Sequence, residues 1–219
     1  MRSAAAVPPP ANARAAVAAP DPRTWDPLIE ALCADGIVVR DGFLSAPELR
    51  TLAACAAIRH TRGDFAAAHI GAGPKLERRA EIRGDSIAWL ARAEFPAETA
   101  LLGVLEELRQ ALNRQAFLGV AELELHYARY PPGSGYARHV DQPVGRDQRR
   151  VSIVLYLNED WSASDGGALR IDETGGVRYR EIEPLGGRLV LFLSESRAHE
   201  VLPTRRARLS LTGWFRSRS

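Results

Sequence analysis

The chain has 219 residues, 46% of them hydrophobic and 26% charged, with a net charge of +2. This is the balance of a globular protein long enough to bury one core. So small a net charge argues against a nucleic-acid coat or a membrane-surface protein, and no apolar run approaches the roughly 20 residues that span a bilayer.

Met1 to about Arg23 is rich in alanine and proline and poor in large hydrophobes, and Pro8-Pro9-Pro10 and Arg14 break any continuous apolar stretch. A disordered tail is expected there rather than a signal peptide, and with it a cytoplasmic location. Residues 24–219 are expected to form one domain, its metal-binding core at about 121–216.

Trp25, Leu28, Ile29 and Leu32 recur at helical spacing, ending near Asp35-Gly36. Ile37-Val38-Val39 is a short strand candidate. Ser45-Ala46-Pro47-Glu48 reads as a capping box with proline in the first turn, opening a helix to about Ile58. Cys33 and Cys55, the only cysteines, fall in these helical segments and are expected as buried apolar filler, a single disulfide between them remaining open. They do not amount to a secreted disulfide framework. Lys75 is the only lysine, so nearly all positive charge is arginine.

His60 to Arg79 carries Gly63, Gly71, Gly73 and Pro74 with little period, and is expected as a long loop of the kind that forms lids. A strand is expected to resume in Ile82–Leu90. A second long helix is expected over Ala97–Gln115, with Leu101, Leu105, Leu108 and Leu112 on one face.

From Ala121 the pattern changes to short alternating strands. Leu123, Leu125 and Tyr127 oppose Glu124, His126 and Ala128, while Val151, Ile153, Leu155 and Leu157 oppose Ser152, Val154 and Tyr156. Further strands are predicted around Ala168–Ile171, Val177–Ile182, Arg188–Leu193 and Leu209–Phe215, punctuated by glycines. The class this implies is α+β with a mainly β core: a jelly-roll barrel with N-terminal helices supporting one sheet.

His139-Val140-Asp141 puts an imidazole and a carboxylate two residues apart, on one face if the segment is a strand. His199 would complete a facial triad for iron if its strand neighbours the first, leaving the opposite coordination face open. Arg208, nine residues further, supplies a fixed cation for a dicarboxylate. Singly, each piece has a plainer reading: a surface His-Asp pair, a loop end, a solvated basic edge beside Arg205 and Arg206. Their order and context, around the apolar strands and Gly166-Gly167-Ala168-Leu169-Arg170, favour the metal. His60, His69 and His126 lack that context and are expected to be exposed or structural.

The stretches Tyr130-Pro131 through Gly135-Tyr136-Ala137-Arg138-His139-Val140-Asp141, Tyr156 to Trp161, Gly166 to Ile171, and His199-Glu200-Val201-Leu202-Pro203 through Trp214-Phe215 resemble the Fe(II)- and 2-oxoglutarate-dependent oxygenases. Within them the chain is most similar to the hypoxia-inducible-factor prolyl hydroxylases and their bacterial relatives, a likeness that Ile82-Arg83-Gly84-Asp85, Ile87 and Trp89 extend. It runs from roughly Gly36 to Phe215 and implies a double-stranded β-helix of the cupin-like kind.

Position by position, the resemblance implies that His139, Asp141 and His199 bind Fe(II). Arg208 would pair with the distal carboxylate of 2-oxoglutarate, Tyr156 would donate to the same carboxylate, and Tyr130 would reach its metal-bound end. Leu169 and Val201 would be apolar walls. Arg83 and Asp85 would shape the substrate groove, with Arg149 and Trp214 at its entrance. The implied activity is peptidyl-prolyl 4-hydroxylation of a protein substrate by a monomeric enzyme. It would consume O2 and 2-oxoglutarate, release succinate and CO2, and use L-ascorbate to keep the iron reduced. Elongation factor Tu is a candidate target.

The loop before His139 is one residue shorter than in the animal enzymes, the Asp141–Tyr156 segment one longer, and the Phe65–Leu76 lid is this chain's own. These departures leave the target peptide open. Two other readings stand beside the first: hydroxylation of a free amino acid or small metabolite, and a non-catalytic iron- and 2-oxoglutarate-binding sensor. Nucleic acid is not an expected partner, because no concentrated basic and aromatic face is present.

Overall fold

The computed structural model describes residues 25–69, 79, 81–142, 148–173 and 178–218. The expected N-terminal tail and residues 70–76 of the expected Phe65–Leu76 lid lie outside them. The described residues hold three α-helices, the last ending at Ala116. Helix α1 (Asp26–Asp35) buries Leu28, Ile29 and Leu32. It ends at Gly36, whose φ of 67° lets its N–H reach Leu32 O, a turn an L side chain would resist.

Helix α2 (Ala46–Arg62) opens where Ser45 and Glu48 predict, with the carboxylate accepting from both the Ser45 amide and its hydroxyl at 2.7 Å. It runs a turn past Ile58 because Leu52, Cys55, Ala56 and Arg59 keep one face buried. The first residues of the expected loop are therefore helix. Helix α3 (Pro96–Ala116) packs its Leu101, Leu105, Leu108 and Leu112 stripe inward as expected. No helix among the described residues is long and apolar enough to cross a membrane.

Among the described residues, eleven strands follow the helices or lie between them: β1 (Ile37–Arg40), β2 (Ala66–Ala67), β3 (Ser86–Trp89), β4 (Val120–Tyr130), β5 (Tyr136–His139), β6 (Arg149–Tyr156), β7 (Leu169–Asp172), β8 (Tyr179–Ile182), β9 (Leu189–Leu193), β10 (His199–Val201) and β11 (Arg208–Ser217). They pair antiparallel into a large sheet, β1-β9-β6-β11-β4-β3-β2, and a small one, β5-β10-β7-β8. The strand expected over Ile82–Leu90 starts only at Ser86; its first residues make an isolated bridge, Arg83 to Tyr136, with the small sheet. Ala66 and Ala67, expected as loop, pair with β3.

The alternation read from β4 and β6 sorts the large sheet's two faces. Leu125, Tyr127, Val151, Ile153 and Leu155 pack under the helices in the larger core, while Ala128, Tyr130, Val154 and Tyr156 point into the space between the sheets. There they meet Leu169, Ile171, Ile182 and Val201 of the small sheet. This is the expected mainly β barrel with helices on one sheet. Cys55 is buried as expected, but Cys33 is exposed and both thiols are free. Position 33 falls where α1 borders an open cleft against Gln115 of α3, so the α1 apolar stripe stops short of it.

Candidate metal centre

Antiparallel pairing of β10 with β5 sets His199 directly opposite His139, with a register irregularity just beyond. Asp141 lies two residues past His139 and beyond the end of β5, so a bend after the strand, rather than the strand alone, aims its carboxylate at both rings. Its Oδ1 is 3.6 Å from His139 Nε2 and its Oδ2 is 3.6 Å from His199 Nε2. One ligand atom from each residue lies within 4.8 Å of the others, a spacing that fits a single divalent ion.

The surrounding hydrogen bonds prepare those atoms. His139 Nδ1 lies 2.8 Å from Ala137 O, and His199 Nδ1 lies 2.9 Å from Arg197 O. A carbonyl only accepts, so Nδ1 of each ring donates and Nε2 keeps its lone pair for a metal. Ser152 donates its hydroxyl to Asp141 Oδ2 at 2.6 Å, which leaves Ser194 as donor in the 2.8 Å contact between the two serines. Burial raises the Asp141 carboxyl pKa, but the two imidazoles and the Ser152 hydroxyl outweigh it and hold the group well below the usual carboxylate range. Burial likewise keeps His199 neutral by lowering its pKa, against the pull of Asp141. The set thus presents two imidazole Nε2 atoms and one carboxylate.

Deeper between the sheets, Arg208 is 2% exposed. Its Nε donates to Gly167 O at 2.9 Å, and its guanidinium lies over the rings of Tyr130 (5.1 Å) and Tyr156 (5.0 Å). No carboxylate among the described residues pairs with it. The Tyr156 hydroxyl is fully buried and has no hydrogen-bond partner, a costly state for a polar group. A buried cation lacking an anion, beside an unpartnered hydroxyl, is a donor set that one end of a dicarboxylate would satisfy. Gly167 has φ of 67°, and a Cβ there would press on Arg208 Cδ and Thr204 at 3.1 Å, so glycine is needed to bring its carbonyl to the arginine. Leu169 and Val201, register partners on β7 and β10, are buried in the same inner cluster.

The residues expected to form a substrate groove lie in two contacting pairs. Arg83 and Asp85 grip each other bidentately (2.8 and 3.1 Å), the Asp85 side chain wholly buried. Arg149 lies 3.5 Å over the Trp214 ring and donates to Asp141 O at 3.1 Å. Trp214 also flanks His126, a buried histidine held between it and Trp89. His60 and His69 are exposed, so none of these three histidines joins the metal site, as expected.

Sequence reasoning passed over Ser152, Ser194 and Tyr136. The Tyr136 ring stacks on His139 at 3.7 Å. Ser152 was visible as a polar residue on the inward face of its strand, but nothing local marked its partner.

A family model described as the 2OG-Fe(II) oxygenase superfamily matches residues 125–216, which hold the three candidate ligands and Arg208. The chain is similar to a solved Pseudomonas putida prolyl-4-hydroxylase at 41% identity and a TM-score of 0.81, covering 89% of this chain and 100% of that one. A Trichoplax adhaerens prolyl hydroxylase, solved with a hypoxia inducible factor oxygen degradation domain peptide fragment, is 28% identical with a TM-score of 0.81, at 90% coverage of each chain. Human Egl nine homolog 1 is 35% identical over 189 residues, which cover 82% of this chain and 43% of that protein. The chain spans about half the length of the curated Egl nine homolog 1 relatives it matches.

Proposed function

The chain belongs to the 2OG-Fe(II) oxygenase superfamily, and from that membership we propose that it is a peptidyl-prolyl 4-hydroxylase acting on a protein. His139, Asp141 and His199 would hold Fe(II). Arg208 and Tyr156 would hold the distal carboxylate of 2-oxoglutarate, with Tyr130 toward its metal-bound end and Leu169 and Val201 as walls. The observation that carries this reading is the buried Arg208, without a carboxylate partner among the described residues and beside the Tyr156 hydroxyl, which has no hydrogen-bond partner among them, in the same inner space as the triad. When bound, Fe(II) and 2-oxoglutarate supply O2 activation, coupling cosubstrate decarboxylation to succinate and CO2 with insertion of one oxygen atom at proline C4.

The chain's own residues supply position and exclusion of water. The two Nδ1–H bonds fix both imidazoles, Ser152 fixes the carboxylate, and the inner apolar cluster keeps the arginine dry enough for its charge to count. Arg83, Asp85, Arg149 and Trp214 would border the path of the target peptide, and the similarity to an enzyme solved with a peptide supports an extended protein segment there. Elongation factor Tu is the first target to try. L-ascorbate as reductant, a monomeric state and a cytoplasmic setting complete the proposal.

The test is incubation of iron-loaded protein with 2-oxoglutarate, O2 and elongation factor Tu or proline-containing peptides. Succinate formation matched by a gain of one oxygen on a proline is expected, verified as 4-hydroxyproline. Succinate with no proline oxidised anywhere in a proteome would sink the substrate assignment while leaving the oxygenase chemistry standing. No 2-oxoglutarate turnover at all would favour a sensor module.

A further inference from the structure

The Arg83-Gly84-Asp85 segment contributes no metal ligand, yet it reaches His139 by two routes. Through the backbone, Ala137 donates its N–H to Ile82 O at 2.7 Å and Gly84 donates to Gly135 O at 2.9 Å. Ala137 then uses its carbonyl to receive His139 Nδ1–H. Through side chains, buried Asp85 clamps the Arg83 guanidinium, which lies 4.9 Å from the centre of the Tyr136 ring. That ring lies nearly parallel to the His139 imidazole, 20° between planes and 3.7 Å between centroids.

His139 needs such support more than His199 does. The His199 side chain is 7% exposed and has the Phe192 ring edge-on at 4.7 Å, whereas the His139 side chain is 20% exposed. A partly solvated imidazole keeps rotamer freedom that a metal would have to remove on binding. The stack limits it beforehand.

We propose that Arg83 and Tyr136 are positioning residues for His139, so that the segment forming one side of the substrate path and the metal centre move as one unit. The proposal rests on His139 being a metal ligand. Because linkage is reciprocal, metal loading should steady the bridge between residues 82–84 and 135–137 as much as the bridge steadies the metal.

Mn(II) binding to the full chain, followed by electron paramagnetic resonance, tests this without turnover. Tyr136→Phe keeps the stack and should bind like the wild type. Tyr136→Leu removes it and should weaken Mn(II) binding by about tenfold, the loss typical when support behind a metal ligand is taken away. Arg83→Lys keeps a charge for Asp85 without the planar guanidinium and should weaken binding by a smaller factor. Co(II)-loaded Tyr136→Leu should show an altered visible spectrum, and Mn(II) should slow hydrogen exchange at Gly84 and Ala137 in the wild type but much less in this variant. Melting curves without metal establish that each variant folds; if Tyr136→Leu does not, Arg83→Lys decides. Wild-type affinity and spectrum in whichever of the two folds would overturn the proposal. Equal binding by the wild type and His139→Ala would instead overturn the ligand assignment beneath it.

Discussion

Arg208 and Tyr156 can be tested separately because one bears a charge and the other a neutral hydroxyl. Arg208→Gln removes a charge-assisted pair with the proposed dicarboxylate, worth about 1.5–3 kcal/mol, so the Kd for 2-oxoglutarate should rise roughly 10- to 150-fold. Calorimetry with Mn(II) in place of iron reads this directly. Tyr156→Phe should weaken the same binding, yet it relieves a buried hydroxyl that has no partner. Without cosubstrate the variant should therefore melt no lower than the wild type, or be stabilised by up to about 1 kcal/mol. A protein both more stable and worse at binding marks a group kept for its ligand. Arg208 was legible from its place after the metal-ligand motif, Tyr156 only from the likeness to a family; alternation alone put Tyr156 on the strand face opposite Val151, Ile153 and Leu155.

At the scale of elements, α2 and α3 are held together by an ion pair no motif announced. Arg59 of α2 meets Glu98 of α3 at 2.9 and 3.0 Å, and Tyr127 of β4 donates its hydroxyl to the same carboxylate at 3.1 Å. Glu98 also accepts from the Glu94 amide at 2.8 Å, capping the start of α3. Arg59 also pairs with Glu94 at 3.0 Å, so Glu98→Gln removes a charge-assisted bond without stranding the arginine and should cost about 1.5–3 kcal/mol in urea unfolding. The helices themselves were readable from their leucine spacing and caps. Their contact was not, because Arg59 and Glu98 sit 39 positions apart and each looks like a solvated charge. The strand expected from Ile82 illustrates the same limit: local alternation continues upstream of Ser86, but residues 82–84 bond to β5's approach instead.

For the whole molecule, buried ionisable groups set the acid limit. Burial pushes the His126 pKa down to about 3, aided by Arg83 and Arg149 and opposed by Asp141. Unfolded, the ring takes up its proton near the ordinary histidine value of 6.5, so below that pH the unfolded chain binds more protons than the folded one. Stability should fall by about 1.4 kcal/mol per pH unit on this account as pH drops from 6.5 toward 3. Glu98 adds a second loss with the same sign: burial raises its pKa, but Arg59 and the amide bonds outweigh that and lower it. Its contribution, present above the unfolded value of 4.5, disappears below it. Urea titrations between pH 7 and 5 should show the slope, and His126→Phe should flatten it; an unchanged slope would mean His126 is not the group responsible.

The sequence by itself determined the chemistry available here: two imidazoles, a carboxylate and an arginine in an order shared with a known family, set among apolar segments whose periods specify helix or strand. Those properties are local, since spacing of 3.6 or 2 residues decides which face a side chain takes. Tertiary structure alone decided which distant residues meet. Pairing of β10 with β5 brings His199 opposite His139 across 60 positions, the bend after β5 turns Asp141 onto both, and Ser152 becomes its hydrogen-bond donor. It also decided that Arg83 and Asp85 grip each other beside the Tyr136 ring. Long-range pairing depends on register and burial summed over whole sheets, and no short stretch of sequence carries that sum.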